Sequence, residues 1–371
     1  MNDEANTVIR VHAPGGPGVL SVEHQPVPRP ARGEVLLRQE AIGVNFIDTY
    51  FRSGLYKFPS LPAVPGMEGA GVIEAVGPDV QDLTPGMRVA YAGVLGGYAH
   101  YRTIAANRVV VLPESVSCRT AASVMLRGLS AHMLLRQVYP VRKGESILVY
   151  AAAGGVGQLL CQWGRYLGAR VIGVTSTLEK ADVARACGAA DVLIGTDNLP
   201  QRVQDLTNGA MVPVVYDSIG KDTFETSLDC LAPRGLMVSY GNASGPVTDV
   251  DVGTLGAHGS LYLTRPTLMT YIADKAELQA SAAELFRMLE QGVLKPAIGQ
   301  HYTLTDAAQA HRSGVAQDNW KHHSPAVRWA GAIGDGASRR GAPLPDYGTV
   351  GWLRRFLKTC QQRHRHVAVT A

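Results

Sequence analysis

Apolar and polar positions follow two different patterns along the chain. Up to about residue 112, β-type runs at 35–38, 71–76 and 108–112 alternate with turn dipeptides such as Gly77-Pro78. Short runs bounded by glycine and proline are typical of strands joined by tight turns. We therefore predict a mostly antiparallel, β-rich first domain with twisted strands and few helices.

From about residue 115 onwards, helical and strand patterns alternate. A helical stretch at 117–137 precedes apolar runs at 146–150, 171–174, 191–194, 214–217, 236–240 and 260–263, with helical patterns at 156–167 and 178–187 between them. Almost wholly apolar strands separated by helices indicate a parallel sheet covered on both faces. The expected fold class is therefore α/β, with a doubly wound domain beside the β-rich one.

These patterns predict the domain boundaries. We place the first domain at residues 1–129 and the doubly wound domain at 130–271. Residues 272–312 carry a helical pattern near Leu278 and Leu285, then a strand pattern at 301–304. We assign them back to the first domain, because small ligands commonly bind in a cleft between two domains. Residues 313–371 form an atypical basic tail.

Composition narrows the class of protein. The 371 residues are 46% hydrophobic and 18% charged, with a mean hydropathy of +0.01, which is an ordinary globular balance. Five isolated cysteines without a C-x-x-C motif disfavour a disulfide framework or a zinc knuckle and indicate a reducing compartment. The N-terminus does not resemble a signal peptide, and no apolar run approaches the length of a membrane span. We expect a cytoplasmic protein.

Net positive charge is concentrated in the tail. The chain carries 35 basic and 31 acidic residues, a net charge of +4. Residues 313–371 contain nine Lys or Arg against three Asp or Glu, so the rest of the chain is slightly acidic. Nucleic acid is therefore not an expected partner of the body of the protein.

A glycine-containing loop is the strongest local signal for a ligand. The segment 151–157, with sequence AAAGGVG, leaves an apolar strand and enters a helix, as a dinucleotide fingerprint does. Gly154 would let the backbone approach a pyrophosphate, and Gly157 would let the helix pack closely on its strand. Ala152 occupies the place of the first fingerprint glycine, so a plain turn of small residues remains an alternative. The predicted contacts are Ala153, Gly154, Gly155, Val156 and Gly157.

The end of the second strand of this domain predicts which dinucleotide binds. An NAD site places a carboxylate there to bind the ribose 2′-hydroxyl. This chain instead has Thr175 and Ser176, with Glu179 and Lys180 following. Hydroxyl groups and an ammonium group would accept a 2′-phosphate. We therefore expect NADPH rather than NADH, although Lys180 could also be a solvated helix residue.

These motifs, with four further segments, resemble the zinc-independent quinone oxidoreductases (zeta-crystallin-like) of the medium-chain dehydrogenase/reductase superfamily. The segments are 43–56, 215–220, 235–242 and 259–266, and the likeness runs from about residue 8 to residue 312. The resemblance implies a GroES-like, mostly β catalytic domain and a Rossmann domain that binds NADPH. It also implies a homodimer that reduces quinones.

The resemblance also implies roles for individual residues. Asn45 and Tyr50 would lie beside the nicotinamide ribose and ring, and Tyr56 at the substrate mouth. Asn45 and Tyr56 are the expected catalytic residues, although Asn45 could merely cap a turn and Tyr56 could be plain packing. The remaining expected cofactor contacts are Phe46, Ile47, Asp48, Thr49, Ser176 and Lys180 (2′-phosphate), Thr175, Ser218, Tyr240, Gly241, Asn242, and Leu263, Thr264 and Arg265 (carboxamide).

The same comparison with zinc alcohol dehydrogenases argues against a metal. Those enzymes place a histidine between Gly and Glu in the substrate domain, where this chain has Met67 between Gly66 and Glu68. A thioether does not replace imidazole on zinc. The catalytic cysteine and the four-cysteine lobe are also missing, so we predict no metal and a structural role for Glu68. Catalysis would rest on orientation, with the cofactor supplying hydride to a quinone or another small electrophile.

Two departures from the family pattern stand out. Ile194 and Gly195 replace an Asn-Tyr pair that often lies near the adenosine phosphate, which could weaken NADPH affinity. Beyond residue 312 the sequence leaves the pattern, and one back-translation of residues 313–325 in the next frame gives a family-like ending. We interpret the tail as a frameshifted and disordered segment that lacks the last strand of the first domain and leaves a strand edge unpaired. The rival interpretation is a basic extension that binds RNA or a partner through Arg354, Arg355 and 363–366.

Three functions therefore remain open. The leading expectation is an NADPH:quinone oxidoreductase. A second is an enoyl or alkenal reductase acting on an activated C=C bond in the same cleft. A third is a non-catalytic NADPH-binding or RNA-binding protein of the same fold.

Overall fold

Two large sheets organise the part of the chain that this computed structural model describes, residues 5–314 and 327–329. The strands are β1 (Ala5–Arg10), β2 (Ser21–Pro26), β3 (Glu34–Val44), β4 (Glu68–Val76), β5 (Arg88–Ala92), β6 (Tyr101–Ala105), β7 (Val110–Val111), β8 (Ser146–Tyr150), β9 (Arg170–Thr175), β10 (Asp191–Ile194), β11 (Val212–Asp217), β12 (Leu231–Ser239), β13 (Tyr262–Thr264), β14 (Gln300–Tyr302) and β15 (Val327–Trp329). The α-helices are α1 (Phe46–Ser53), α2 (Cys118–Ala122), α3 (Met125–His132), α4 (Gly155–Tyr166), α5 (Leu178–Ala186), α6 (Leu199–Leu206), α7 (Phe224–Asp229), α8 (Val252–Ala257), α9 (Leu268–Tyr271), α10 (Lys275–Glu290) and α11 (Ala307–Gly314).

The first sheet is mostly antiparallel, as the turn-punctuated pattern predicted. Its order is β14-β15-β3-β4-β5-β7, with β6 also paired to β3, and β1 and β2 form a separate hairpin. The long β3 has register shifts at Leu36/Leu37 and Gln39/Ala41 where it pairs with β4. Such bulges bend a strand, which is consistent with β3 pairing to β6 along its first half and to β15 at its end.

The second sheet has six parallel strands in the order β10-β9-β8-β11-β12-β13. Counted from its first strand, this is the order 3-2-1-4-5-6 of a doubly wound dinucleotide-binding fold. Ile147, Leu148, Ile172 and Val215 are fully buried because helices cover both faces. The prediction of a Rossmann domain is therefore confirmed.

The helical stretch predicted at 117–137 is present, but it is divided into three pieces. The chain forms α2, breaks at Ser123 and Val124, resumes as α3, and ends in a π-helix at Met133–Val138. Ser123 bonds back to Thr120 O (2.7 Å), and the Leu126 amide donates to Glu68 Oε1 (2.8 Å). A carboxylate from a distant strand thus satisfies an amide that a continuous helix would have used itself.

Two smaller expectations also need correction. The strand expected at 108–112 shrinks to β7, because Arg108 lies in a 3₁₀ turn and its guanidinium donates to Ile272 O (2.6 Å). The helix α1 follows β3 directly and was not predicted, since its residues also fit a loop. Within the described residues, no helix is long and apolar enough to cross a membrane.

The tail expectation lies largely outside the described residues. Of residues 315–371, the structure describes only β15, which pairs antiparallel with Ile42–Val44 at the end of β3 and parallel with β14. The edge of β3 that a missing last strand would have left unpaired is therefore paired. This pairing also joins β14, from the segment assigned back to the first domain, to the antiparallel sheet.

Candidate active site

The glycine-containing turn lies at the carboxyl end of β8, in the middle of the parallel sheet. Ala151 has a left-handed backbone (φ 47°), and the Gly154 amide donates to Ala151 O (2.7 Å). A Cβ on Gly157 would collide with Ala151 O and lie 2.8 Å from Ala152 Cα. The turn therefore needs glycine at position 157, and it starts α4 with free first-turn amides at the sheet edge.

Ala152 fits in the place of the first fingerprint glycine because the neighbouring strand makes room. A Cβ on Gly173 in β9 would lie 2.8 Å from Ala152 Cβ. The glycine missing from the turn after β8 is thus matched by a glycine on β9. Ala153 O accepts from Gln158 Nε2 (2.7 Å), which closes the turn on the α4 side.

Arg127 is a residue at this turn that sequence reasoning missed. A Cβ on Gly155 would lie 2.7 Å from Arg127 Cδ and 2.9 Å from its Nη1. The guanidinium donates to Ser123 O through Nε (3.0 Å) and Nη2. A cation thus lies against the first turn of α4, where an anionic group would be stabilised. The signal in the sequence was an arginine between two apolar stretches of a helical pattern.

Ser176 and Lys180 come together at the carboxyl end of β9. Lys180 Nζ donates to Ser176 Oγ (3.3 Å), and Thr177 Oγ1 caps α5 by accepting from the Lys180 amide (3.3 Å). Thr175 Oγ1 donates to Thr177 O (3.4 Å) and fixes the same turn. Burial lowers the pKa of Lys180 to about 8, so a nearby anion would favour its charged form.

The loops after β11 and β12 are held together by close backbone contacts. Asp217 accepts from the amides of Ile219 (2.7 Å) and Gly220 (3.2 Å). The Tyr240 amide donates to Asp217 O (2.8 Å), and a Cβ on Gly241 would lie 2.7 Å from Ser218 Cα. These contacts make Ser218, Tyr240 and Gly241 neighbours at the carboxyl ends of the parallel strands.

Hydrogen bonds connect this edge to α1 of the first domain. The Asn242 amide donates to Tyr50 Oη (3.0 Å). Arg265, which follows β13, donates to Ser239 O (2.7 Å) and to Tyr56 Oη (3.3 Å). The side-chain nitrogen of Asn242 donates to Gly241 O (2.9 Å), and its side-chain oxygen accepts from Arg265 Nη2 (3.0 Å). The two sheets thus form opposite walls of one cleft.

Aromatic rings form the first-domain wall. Tyr50 contacts Phe46 and Tyr56 edge to face, with centroid distances of 5.3 and 5.1 Å. Phe46 is 41% exposed, and burial raises the pKa of Tyr50 to about 12. Tyr50 therefore stays a protonated hydroxyl at neutral pH, able to donate as well as accept.

Asn45 follows the last residue of β3 and is the N-cap of α1. Its backbone amide donates to Asp48 Oδ2 (2.8 Å), and its Nδ2 donates to Glu68 Oε2 (2.7 Å). Asn45 therefore occupies a capping position, as the alternative interpretation expected, and its side chain also bonds Glu68, which is distant in sequence. Burial raises the pKa of both Asp48 and Glu68 to about 7, although these hydrogen bonds act in the opposite direction.

The Asp48 side chain is fully buried and faces a network behind α1. Burial lowers the pKa of His311 to about 3, so the ring is neutral. Its Nδ1 accepts from Arg52 Nη1 (3.1 Å), and its Nε2–H therefore donates to Tyr98 Oη (2.8 Å). The Tyr98 hydroxyl then donates to Asp48 Oδ2 (3.0 Å). This directed chain of hydrogen bonds fixes α1 against α11.

The remaining expected contacts lie on the same cleft walls. Ile47, Val156 and Tyr240 pack against the large apolar core, and Leu263 packs against the core on the other face of the parallel sheet. Thr49 Oγ1 donates to Phe46 O (2.6 Å) within α1. Leu263 and Thr264 pair with Met237 and Val238 of β12. Most of the expected contacts lie near the carboxyl end of a parallel strand or on α1, and Val156, Gly157 and Lys180 lie in the first turns of α4 and α5.

The region around Met67 and Glu68 was the place to test for a metal. Met67 and Glu68 are 3% and 1% exposed. Both Glu68 oxygens already accept hydrogen bonds, from Asn45 and from the Leu126 amide. Among the described residues, no group of three or more His, Cys, Asp or Glu side chains could hold a metal ion.

The sequence segments that contain the two sheets each match a known protein family. Residues 31–114 match the alcohol dehydrogenase GroES-like domain family, and residues 155–286 match the zinc-binding dehydrogenase family. A quinone oxidoreductase of Pseudomonas aeruginosa is 52% identical over 83% of this chain and 96% of its own length. A 2-haloacrylate reductase of a Burkholderia species is 41% identical over 81% of this chain and 93% of its own.

A solved structure extends the likeness to three dimensions. It is the crystal structure of Escherichia coli quinone oxidoreductase complexed with NADPH, with a TM-score of 0.84 and 43% sequence identity. The similarity covers 88% of this chain and 100% of that one.

Proposed function

This chain belongs to the quinone oxidoreductase family, and on that premise we propose that it transfers a hydride from NADPH to a quinone without a metal ion. The observation that carries the proposal is the cleft itself. Tyr50 and Tyr56 on one wall hydrogen-bond to Asn242 and Arg265, which follow parallel strands on the other wall, and Asn45 begins the helix α1 that carries Tyr50.

The residues present fit an NADPH molecule. The amides at 153–157 and the N-terminus of α4 suit a pyrophosphate, and Arg127 adds a positive charge at the same turn. Ser176 and Lys180 suit a 2′-phosphate. NADPH, when bound, would supply the hydride.

The protein would contribute orientation and hydrogen bonds to the acceptor. The Tyr56 hydroxyl lies 3.3 Å from Arg265 Nη2, so it can donate toward an oxygen that gains negative charge while a cation stands behind it. Asn45 would contact the nicotinamide side. A reduced quinone anion is delocalised and can take its proton from water, so no dedicated acid is needed.

The donor set at Met67 and Glu68 does not fit a catalytic zinc ion. A thioether is a poor zinc ligand, and Glu68 is committed to Asn45 and Leu126. We therefore assign no step to a metal.

The assembly and location belong to the same proposal. The strand β13 lies at the edge of the parallel sheet, and Tyr262 on it is 63% exposed. A second copy could cover this edge and form a homodimer.

The free cysteines Cys118, Cys161, Cys187 and Cys230 support a reducing, cytoplasmic location. We keep the domain boundaries at 129/130 and 271/272.

The test is stopped-flow oxidation of NADPH by a benzoquinone and, separately, by an alkenal. Faster turnover of the quinone supports the proposal. Faster turnover of the alkenal would favour the C=C reductase, a candidate supported by the similarity to a 2-haloacrylate reductase. Tight NADPH binding with no turnover of either would indicate a non-catalytic binding protein.

Two substitutions test the residues assigned to the acceptor. Tyr56→Phe removes the hydroxyl beside Arg265, and Asn45→Ala removes the amide. We expect each to lower kcat/KM for quinone by about tenfold, the loss of one charge-assisted hydrogen bond. Unchanged kcat/KM in both variants would remove these residues from the mechanism.

A further inference from the structure

We propose that Glu68 is a positioning residue that sets the orientation of the Asn45 amide in the cleft. This inference rests on the proposed function, because it concerns how Asn45 meets the cofactor and the acceptor. It replaces the expectation that Glu68 has only a structural role.

The contacts single out Glu68 as the shared partner of two elements. Oε2 accepts from Asn45 Nδ2 at the start of α1 (2.7 Å), and Oε1 accepts from the Leu126 amide in the first turn of α3 (2.8 Å). A Cβ on Gly43 would lie 2.8 Å from Glu68 Cδ and would collide with Oε2. Glycine at position 43 therefore leaves the space that the carboxyl group occupies.

This geometry removes the twofold ambiguity of an amide side chain. An Asn amide can rotate so that its nitrogen and oxygen exchange places at little cost unless a partner distinguishes them. A carboxylate oxygen accepts and does not donate, so Nδ2 must face Glu68, and Oδ1 must face the other way. Without that acceptor, the amide would lose its preferred orientation toward the bound reactants.

Burial and a neighbouring cation act on the pKa of Glu68 in opposite directions. Burial raises the pKa of Glu68 to about 7, and the hydrogen bond from Asn45 and the charge of Arg127 on α3 act to lower it. The other titratable groups that interact with Glu68 are Asp48 on α1, Tyr91 on β5 and Tyr98 on the following loop. Since both oxygens accept, the carboxylate is the form that fits the observed pair of donors.

The test is Glu68→Gln, combined with Asn45→Ala in a double-mutant cycle. Glutamine keeps the volume, but its amide nitrogen must face one of two N–H donors, so one bond is lost. We expect kcat with benzoquinone to fall about tenfold while KM for NADPH stays within about twofold. Because Glu68 acts through Asn45, the double variant should have the kcat of Asn45→Ala within about twofold.

A control separates positioning from general loss of stability. Gln39 is a buried polar residue on β3 that donates to Gly97 O (2.7 Å) and Ala99 O (2.6 Å) without bonding Asn45 or Glu68. Gln39→Leu should lower the Tm but leave kcat unchanged. If Glu68→Gln does not fold, Glu68→Asp, which keeps the charge and withdraws the carboxyl group from both donors, takes its place in the cycle.

The outcomes distinguish the positioning role of Glu68 from the proposed function. Losses that add in the double variant, or a Glu68→Gln variant with unchanged kcat, would overturn the positioning role while leaving the proposed function intact. No oxidation of NADPH by the unsubstituted chain with benzoquinone would overturn the proposed function and this role together.

Discussion

The two walls of the cleft obtain their polar groups in different ways. The parallel-sheet wall uses backbone amides and side chains that are close in sequence, such as Gly154 with Ala151 and Ser176 with Lys180. The antiparallel-sheet wall uses pairs that are far apart along the chain, such as Asn45 with Glu68 and Arg52 with His311. A local turn can bind a phosphate by itself, whereas an oriented amide needs a partner brought by the fold.

The largest effect should come from filling the backbone contact at the glycine turn. In Gly157→Ala, the new Cβ would lie 2.8 Å from Ala152 Cα and against Ala151 O. Backbone atoms cannot yield cheaply, so we expect NADPH binding to be lost and stability to fall by about 2 kcal/mol. Calorimetric titration and urea unfolding measure the two effects.

A matched helical glycine provides the control for that variant. Gly256 lies in α8 of the same domain, and a Cβ there meets nothing within 4 Å. Gly256→Ala should bind NADPH normally and be as stable as the parent or slightly more stable. Normal NADPH binding by Gly157→Ala would contradict the assignment of this turn.

The next largest effect should be on the preference of the protein for NADPH over NADH. Lys180→Met keeps the aliphatic stem but removes the ammonium group beside Ser176. We expect NADPH affinity to fall by about 10- to 100-fold and NADH affinity to change less than threefold, because only NADPH carries the 2′-phosphate. Fluorescence titration with both cofactors measures the ratio. Lys275→Met, at a half-exposed lysine near Asp82, is the control; equal losses for both cofactors would argue against the 2′-phosphate contact.

A moderate effect should appear in the pH dependence of stability behind the antiparallel wall. The pKa of His311 is lowered to about 3 from 6.5, so the folded protein binds fewer protons than the unfolded chain between these values. This group therefore removes stability as pH falls from 6.5 toward 3, by up to about 1.4 kcal/mol per pH unit. Asp48 and Glu68, with pKa values raised to about 7, act with the opposite sign between about pH 4 and 7.

His311→Gln isolates the first of these contributions. Relative to the parent, the variant should be less stable at pH 7, and this difference should shrink as pH falls to 4.5. Urea unfolding at several pH values measures the difference. A difference that stays constant with pH would mean that His311 is not held neutral in the folded protein.

The smallest expected effect is the uptake of a fraction of a proton by Lys180, on the parallel-sheet wall, when NADPH binds. Burial lowers the pKa of Lys180 to about 8, and a bound 2′-phosphate should raise it again. At pH 8, NADPH binding should therefore take up more protons than NADH binding. Calorimetry in buffers of different ionisation enthalpy detects the uptake, and equal uptake for the two cofactors would contradict the pairing.

Much of the fold followed from periodicity. The apolar runs of the second domain predicted a parallel doubly wound sheet, because strands buried on both faces leave no polar alternation. The break within the helical stretch at 117–137 was not predicted, because it depends on Glu68, which lies far away in sequence. The helix α1 was not predicted for a similar reason: the hydrogen bond from Tyr98 to Asp48 that anchors it is tertiary.

The sequence by itself therefore determined the turn at 151–157, the NADPH-type ending of β9 and the family pattern, since each depends on neighbouring residues. Only the tertiary structure decided that Gly173 accommodates Ala152, that Arg127 lies at the start of α4, and that Glu68 holds Asn45. The physical reason is range. Backbone conformation is set within a few residues, whereas the partner of a buried polar side chain is chosen by whichever distant strand or helix the packing brings within hydrogen-bonding distance.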